Sequence, residues 1–378
     1  MAVYDVAVLG LGGMGSAAAY HLAKRGARVL GLEQFGAAHA QGSSHGRTRA
    51  IRQAYAEAPD YVPLLLRAYD LWYALEREAG ERLLTVTGGL YVGPADAPNV
   101  AGAALSARKH GIAHEMLAAD DIRRRFRLLR PPADHTGLLE YKAGILVPEQ
   151  CVAAHIDLAS RHGADLRLQE TAESWDAGPN HVSVRTARGT YEAGTLVIAA
   201  GPWTGQVLHD LGLPLRVERV VLYWFEPRDH VEEFARLPIY GWDDGSVYAY
   251  GFPYLQAQGL KCAFHQAFQE VTTPQAIRRE VGEEETARMC RHLARFMPDA
   301  AGTLLATATC MYTNTPDEHF IIDRHPAHRN VALACGFSGH GFKFCSVVGE
   351  ILADLALVGE TAQPIDLFAL RRFESAVP

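Results

Sequence analysis

The strongest constraint on this chain lies at its start. An apolar run over residues 3–9 breaks at Gly10-Leu11-Gly12-Gly13-Met14-Gly15, an alanine-rich segment follows up to Gly26, and a second apolar run over 28–32 ends on Glu33. Strand, glycine turn, helix, strand and acid, in that order and within about 30 residues, form the context in which G-x-G-x-x-G binds a dinucleotide. Gly10 makes the tight turn, Gly12 lets backbone amides approach a pyrophosphate, and Gly15 lets helix and strand pack closely. The helix N-terminus offers the phosphates its positive end. Glu33 is placed to accept hydrogen bonds from an adenosine ribose, which argues against a ribose 2'-phosphate.

Further along, the periodicity predicts a helix over 61–78 with Leu64, Ala68, Leu71 and Leu75 on one face and Gly80 as its stop. Another Rossmann-like strand is expected at 195–200, closed by Gly201, and a strand and helix return at 331–334 and 344–358. Between them lie two mixed regions, the second with an amphipathic helix carrying Met289, Leu293 and Phe296. With no internal repeat or low-complexity linker, the reading is an α/β fold whose two domains interleave. Residues 1–84, 146–215 and 321–378 build the Rossmann-like dinucleotide domain, and 85–145 with 216–320 build a mixed-sheet α+β substrate domain.

A net charge of −7 gives no general attraction for nucleic acid or anionic membrane, which leaves a small molecule as the expected partner. The basic run Arg123, Arg124, Arg125, Arg127, Arg130 is broken by acidic and apolar neighbours and ends at Pro131-Pro132, as a solvated helix end does. No secretory signal pattern opens the chain, and no apolar run reaches the ~18 residues of a membrane span. Six cysteines show neither a C-x-x-C pair nor a zinc-ligand rhythm, so no metal is expected and a cytoplasmic setting fits.

A nicotinamide dehydrogenase could share the opening motif, so the chemistry has to be read from four other segments. Residues 42–52 (Gly-Ser-Ser-His-Gly-Arg-Thr-Arg-Ala-Ile-Arg) place a histidine and three arginines in one loop, suited to an anionic ligand or, equally, to solvent. On an extended strand Lys261 and His265 share a face with Ala263 between them, and Tyr248 and Tyr250 share another. Cys310 reads as a small buried hydrophobe and Tyr312 as a core phenol, ahead of Asp317-Glu318-His319-Phe320-Ile321-Ile322-Asp323. The run Gly336-Phe337-Ser338-Gly339-His340-Gly341-Phe342-Lys343 is a glycine-rich turn entering a helix, whose amides suit negative charge and whose lysine suits a carboxylate.

Taken together, the strings Gly-Ser-Ser-His-Gly-Arg-Thr-Arg, Asp-Glu-His-Phe-Ile-Ile-Asp and Gly-Phe-Ser-Gly-His-Gly-Phe-Lys resemble the monomeric sarcosine oxidase and N-methyltryptophan oxidase family, over nearly the whole chain. The resemblance implies a two-domain, D-amino-acid-oxidase-like flavoprotein with FAD attached through a thioether from Cys310. Arg52 and Lys343 match the family's substrate-carboxylate ligands, and Tyr250 and His265 its active-site lining. Tyr312 matches a residue beside the flavin. Arg49 and Lys261 match its basic neighbours, the lysine being the group assigned to oxygen. Gly10, Gly12, Gly13, Met14, Gly15, Glu33, Ser43, His45, Thr48, Arg49, Gly201, Trp203, Cys310, Gly339, His340, Gly341 and Lys343 are the expected cofactor contacts.

The implied reaction takes two electrons from a carbon beside the nitrogen of a small secondary amino acid, with molecular oxygen as the second substrate and hydrogen peroxide as a product. The implied enzyme is a monomer. Two departures bear on the substrate. Arg47 stands where the relatives carry aspartate, and residues 240–244 are longer and more aromatic than their counterpart in a region expected to border the substrate. Oxidation of a cyclic imino acid is the near alternative. A nicotinamide dehydrogenase, or an FAD-binding protein without catalysis, leaves Lys261, Lys343 and Cys310 unexplained.

Overall fold

The computed structural model of the chain describes residues 4–376. The apolar opening run is the strand Tyr4–Leu9, buried from Val6 onward and paired in parallel with Val29–Glu33 on one side and Gly189–Ile198 on the other. Burial on both faces explains why these strands read as continuous apolar runs and not as alternating ones. They form the centre of an eight-stranded sheet. Asp165–Leu168 and Val331–Cys335 extend its parallel part, and the hairpin Ala172–Ala177 with Val182–Thr186 adds an antiparallel edge. The helices Gly13–Lys24, Pro148–Arg161 and Cys345–Leu357 pack with the sheet into one core. The close approach demanded of the glycines is literal: a Cβ at Gly15 would overlap the carbonyl oxygen of Gly10, which itself sits at φ 86°.

A second sheet of nine strands is built wholly from 89–140 and 216–314. Its long strands Arg216–Glu226 and Thr303–Asn314 pair antiparallel along their length, with Leu260–His265, Tyr248–Gly251 and Ile239–Asp243 following in order. Register decides what each face carries. Trp224 pairs with Lys261, Leu222 with Ala263, Val220 with Cys310, Glu218 with Tyr312, Tyr250 with Ala263 and Tyr248 with His265. Residues directly opposite share a face, so Lys261, His265, Tyr248, Tyr250, Cys310 and Tyr312 all project to one side. The other face, with Phe264, Tyr240 and Trp242, packs on the helix Glu283–Phe296 through Met289, Leu293 and Phe296. A small three-stranded sheet, Arg49–Ile51, Gly144–Leu146 and Leu84–Val86, lies where the chain passes between the two larger ones.

The expected helix over 61–78 is Val62–Ala79, closed by Gly80 in the left-handed region at φ 72°. Arg123, Arg124 and Arg125 of the arginine run end the short helix Ala119–Arg125 and pair with Asp120, Asp121 and Glu115, while Arg127, beyond the helix, pairs with Glu233. Among the described residues no helix is long and apolar enough to cross a membrane. One expectation is corrected. The aromatic residues of 240–244 do not lie on the face that carries Lys261 and His265: Gly241 pairs with Tyr250 and shares its side, which turns Tyr240 and Trp242 toward the opposite core. Trp242 stacks on Phe296 with ring centroids 4.5 Å apart.

Trp242→Ala is therefore expected to act on stability and not on specificity. Loss of a buried, stacked indole costs ~3–5 kcal/mol. Denaturant unfolding should register that loss while the folded fraction keeps the wild-type ratio of rates between substrates.

Candidate active site

A cavity of about 670 Å³ runs against the glycine turn and the tip of the first helix. Gly10, Gly12, Gly13, Met14, Glu33, Ser43, Arg49, Gly201, Trp203, Cys310, Tyr312, Gly339 and Gly341 line it, whereas Gly15, His45, Thr48, His340 and Lys343 lie outside the lining. Gly15 serves packing. The Glu33 carboxylate accepts from the Leu11 amide and the Phe35 amide, both at 2.9 Å, which fixes its place at the cavity wall. Ser44, which the sequence motif contains but does not single out, also lines the cavity and accepts from the Gly13 amide at 3.1 Å.

Beside the cavity, residues 42–52 gather three arginines, of which Arg52 is buried and Arg49 partly so. Arg49 donates to the carbonyls of Thr48 and Ser43 at 2.9 Å each, and its guanidinium lies 3.5 Å from the Cys310 sulfur. Lys261 is 2% exposed and sits on a strand flanked on both sides. Its Nζ donates to the carbonyls of Gly46 at 2.6 Å and Thr48 at 2.8 Å. Burial, and then the neighbouring Arg49, hold Lys261 well below the usual lysine range. Cys310 is shifted the other way from an ordinary buried thiol. Burial opposes its ionisation, but the His45 imidazole, Arg49 and Lys261 bring it down to about 6. Arg47, the charge-reversed position, is exposed and covers the face of Trp224 at 5.0 Å.

A second group gathers around Tyr55. Its ring lies 4.8 Å from the Arg52 guanidinium and 5.1 Å from the Lys343 ammonium, so one phenol brings together the two cations that the sequence set 291 positions apart (343 − 52). Arg52 is further covered by Tyr91 and ion-paired to Glu57, one guanidinium nitrogen lying 2.7 Å from both carboxylate oxygens. Lys343 donates to the His340 carbonyl at 2.6 Å. Burial and then Arg52 pull Lys343 down to about 7, with Glu57 opposing. The carbonyl of Glu318 can only accept, so His340 carries its proton on Nε2, and its Nδ1 accepts a hydrogen bond from the Tyr55 hydroxyl. His265 lies 3.2 Å from the Tyr312 hydroxyl, with Tyr248 and Tyr250 edge-on to its ring. Burial holds its imidazole down to about 4, hence neutral near pH 7. Glu57 carried no sequence signal: it is an isolated acid in a loop, and only folding places it against Arg52.

The family model described as DAO, FAD dependent oxidoreductase, matches residues 5–355. The chain is 53% identical to monomeric sarcosine oxidase of Streptomyces avermitilis, covering 99% of this chain and 98% of the relative. It is 34% identical to N-methyl-L-tryptophan oxidase of Salmonella dublin, over 98% and 99%. Among solved structures it superposes on the open form of NikD, an unusual amino acid oxidase essential for nikkomycin biosynthesis, with a TM-score of 0.85, 29% identity and 98% coverage of both chains.

The residues present fit FAD. The first helix, Gly13–Lys24, has Gly12 at its N-cap with no side-chain cap and no acid in its first turn, so that apart from the Gly13 amide, which donates to Ser44, its N-terminal amides are open to an anion. A Cβ at Gly12 would meet only the Ser44 hydroxyl, at 3.8 Å, so the backbone there is open to approach. In the adjoining loop His45 Nε2 and Thr48 Oγ1 are buried without a protein partner.

Behind Arg52 the backbone is fixed by Glu140, fully buried, which accepts from the Gln53 amide at 2.6 Å and the Ala54 amide at 3.0 Å. Burial raises its carboxyl to about 7 against the pull of those amides and Arg52. A folded-state pKa raised above the unfolded value means that the native state holds the proton more tightly. Stability is then full below the unfolded value of about 4.5 and declines as pH rises through about 7. Glu140→Gln should remove that decline, which thermal unfolding of both proteins between pH 4.5 and 8 will measure.

Proposed function

The chain belongs to the DAO family of FAD dependent oxidoreductases, and from that footing we propose that it oxidises a small secondary amino acid of the N-methyl type, such as sarcosine. The observation that carries this reading is the pairing of Arg52 and Lys343 around Tyr55, on the same side as the Arg49 and Lys261 group. When bound, FAD supplies the acceptor for the two electrons of the substrate's C–H bond and their passage to oxygen. The amine loses two electrons and two protons to become an imine, which water hydrolyses. Dioxygen takes up two electrons and two protons to become hydrogen peroxide.

The chain's own residues bind and orient. Arg52 turns from Glu57 to the substrate carboxylate and Lys343 adds an ammonium contact. The surrounding cations and the neutral His265 disfavour a protonated substrate amine, the form that cannot be oxidised. Lys261, in its protonated form, places positive charge where oxygen acquires negative charge, in a site from which water is largely excluded. Cys310, ionised more readily than a free thiol and bordering the cavity, is the nucleophile for covalent attachment of FAD. Residues 1–84, 146–215 and 321–378 hold the cofactor, and 85–145 with 216–320 supply the substrate face. Six unpaired cysteines suit a reducing cytoplasm, and the enzyme works as a monomer. A cyclic imino acid presents the same carboxylate and secondary nitrogen and is the second reading.

Acid precipitation tests attachment: yellow colour should stay in the pellet of the wild-type protein and move to the supernatant in Cys310→Ala. Wild-type flavin found wholly in the supernatant refutes a covalent bond.

Peroxide release over a panel of N-methyl and cyclic amino acids tests the substrate. Charge-assisted contacts are worth ~1.5–3 kcal/mol each, so methyl esters should lose at least about tenfold in kcat/KM. An amine-free carboxylate, titrated by its effect on the flavin spectrum, should bind best below pH 7 and weaken as Lys343 loses its proton. Lys343→Met should flatten that dependence. Equal kinetics for acid and ester rule the carboxylate site out.

A further inference from the structure

Lys261 is held by a turn that does not hold itself. Gly46 and Arg47 are consecutive residues in the left-handed region, at φ 102° and 68°, and the second is not a glycine. The turn packs directly on the cations: a Cβ at Gly46 would lie 3.3 Å from Arg49 and 3.5 Å from the Lys261 amine. Its internal bond is Thr48 amide to Gly46 carbonyl, at 2.8 Å. The remaining amides, of Gly46 at 2.7 Å and Arg47 at 3.0 Å, both donate to one oxygen of Glu149. Glu149 stands in the first turn of the helix Pro148–Arg161, whose positive end favours a carboxylate. Its second oxygen is buried without a protein partner.

We propose that Glu149 is the positioning residue for Lys261: its carboxylate clamps the 46–48 turn whose carbonyls aim the ammonium, and it supplies the counter-charge for that ammonium. The proposal rests on the reading of Lys261 as the group that serves oxygen. The charged and titratable groups facing the amine are Arg47 and Arg49 from the turn and the strand it enters, Cys310 from Thr303–Asn314, and Glu149 from the helix. The rings of Phe252, at 5.0 Å, and Trp224, at 5.5 Å, complete its surroundings. Arg47 and Arg49 both disfavour the ammonium, while Glu149 and Cys310 favour it. Withdrawal of Glu149 removes a charge that keeps the amine protonated, and it releases the two amides that force the Gly46 and Thr48 carbonyls toward it.

The test uses holoenzyme of wild type, Glu149→Gln, Glu149→Ala and Lys261→Met. Glutamine keeps an acceptor for the turn and removes the charge, whereas alanine removes both. Amide hydrogen exchange over residues 44–49 should stay slow in wild type and Glu149→Gln and become fast in Glu149→Ala. Stopped-flow reoxidation by oxygen should slow by about tenfold or more in Glu149→Ala, with anaerobic reduction by substrate within about threefold of wild type. In Glu149→Gln the alkaline limb of the reoxidation profile should move to lower pH by on the order of one unit. If both variants reoxidise with the wild-type rate and pH limb and lose only thermal stability, Glu149 is a structural residue and the proposal is wrong. Lys261→Met separates the two claims. Wild-type reoxidation in that variant defeats the reading of Lys261, while slow reoxidation there with normal Glu149 variants defeats the assignment of Glu149 alone.

Discussion

Four cations, Arg49, Arg52, Lys261 and Lys343, have been taken largely out of water on one side of a sheet, and each removal costs several kcal/mol unless hydrogen bonds or counter-charge offset it. That requirement organises the centre of the molecule. Lys261 is satisfied by two backbone carbonyls, Arg49 by two carbonyls and the Cys310 sulfur, Lys343 by the His340 carbonyl, and Arg52 by Glu57. Most of the acceptors are main-chain groups, which cannot be neutralised by a change of pH. Only Arg49 and Arg52 hold their charge across the whole pH range, while burial makes the charge on Lys261 and Lys343 pH-dependent.

The loop 42–52 is the price of this arrangement. A regular strand or helix would use its carbonyls internally, so an irregular segment has to cross between the sheets with its carbonyls turned to the cations. Such a segment needs outside support, and receives it from Glu149 at one helix end, from Met311 through the Ser43 hydroxyl, and from Glu140 beyond Arg52. The effect on Cys310 follows from the same crowding: a buried thiol ordinarily resists ionisation, and here the surrounding positive charge reverses the sign.

On the proposed reading, Arg52 is where these charges would admit a ligand. Its carboxylate partner in this structure is Glu57, on the short connection leading into Val62–Ala79, and the pair resembles in charge what a substrate carboxylate would offer. A ligand has to displace an existing ion pair, so the net gain on capture is the difference between two similar contacts and not the full strength of one. Glu57 also lies in the field of Lys343 and His340. Loop and ligand thus answer to the same cations.

The glycine turn and its strands were legible from residues 3–33 because their pattern is local: every contact that Gly10, Gly15 and Glu33 require comes from neighbours in one βαβ unit or the strand beside it. The shared face of Lys261 and His265 was legible for the same reason, strand periodicity being a property of the backbone. Periodicity does not say which face is which. The aromatic residues at 240 and 242 were expected near substrate and lie in the opposite core, because the register of Gly241 against Tyr250 is set across strands. Nor did any pattern point to Glu57, Glu140 or Glu149. Each acts on residues distant in sequence or in an irregular loop, through single hydrogen bonds that leave no repeat in the chain. The sequence by itself determined the element types, the dinucleotide turn and the chemistry on offer, since these depend on local sterics and composition. Only the tertiary structure decided which charges meet and are desolvated, because those energies depend on distances that exist once the sheets have packed.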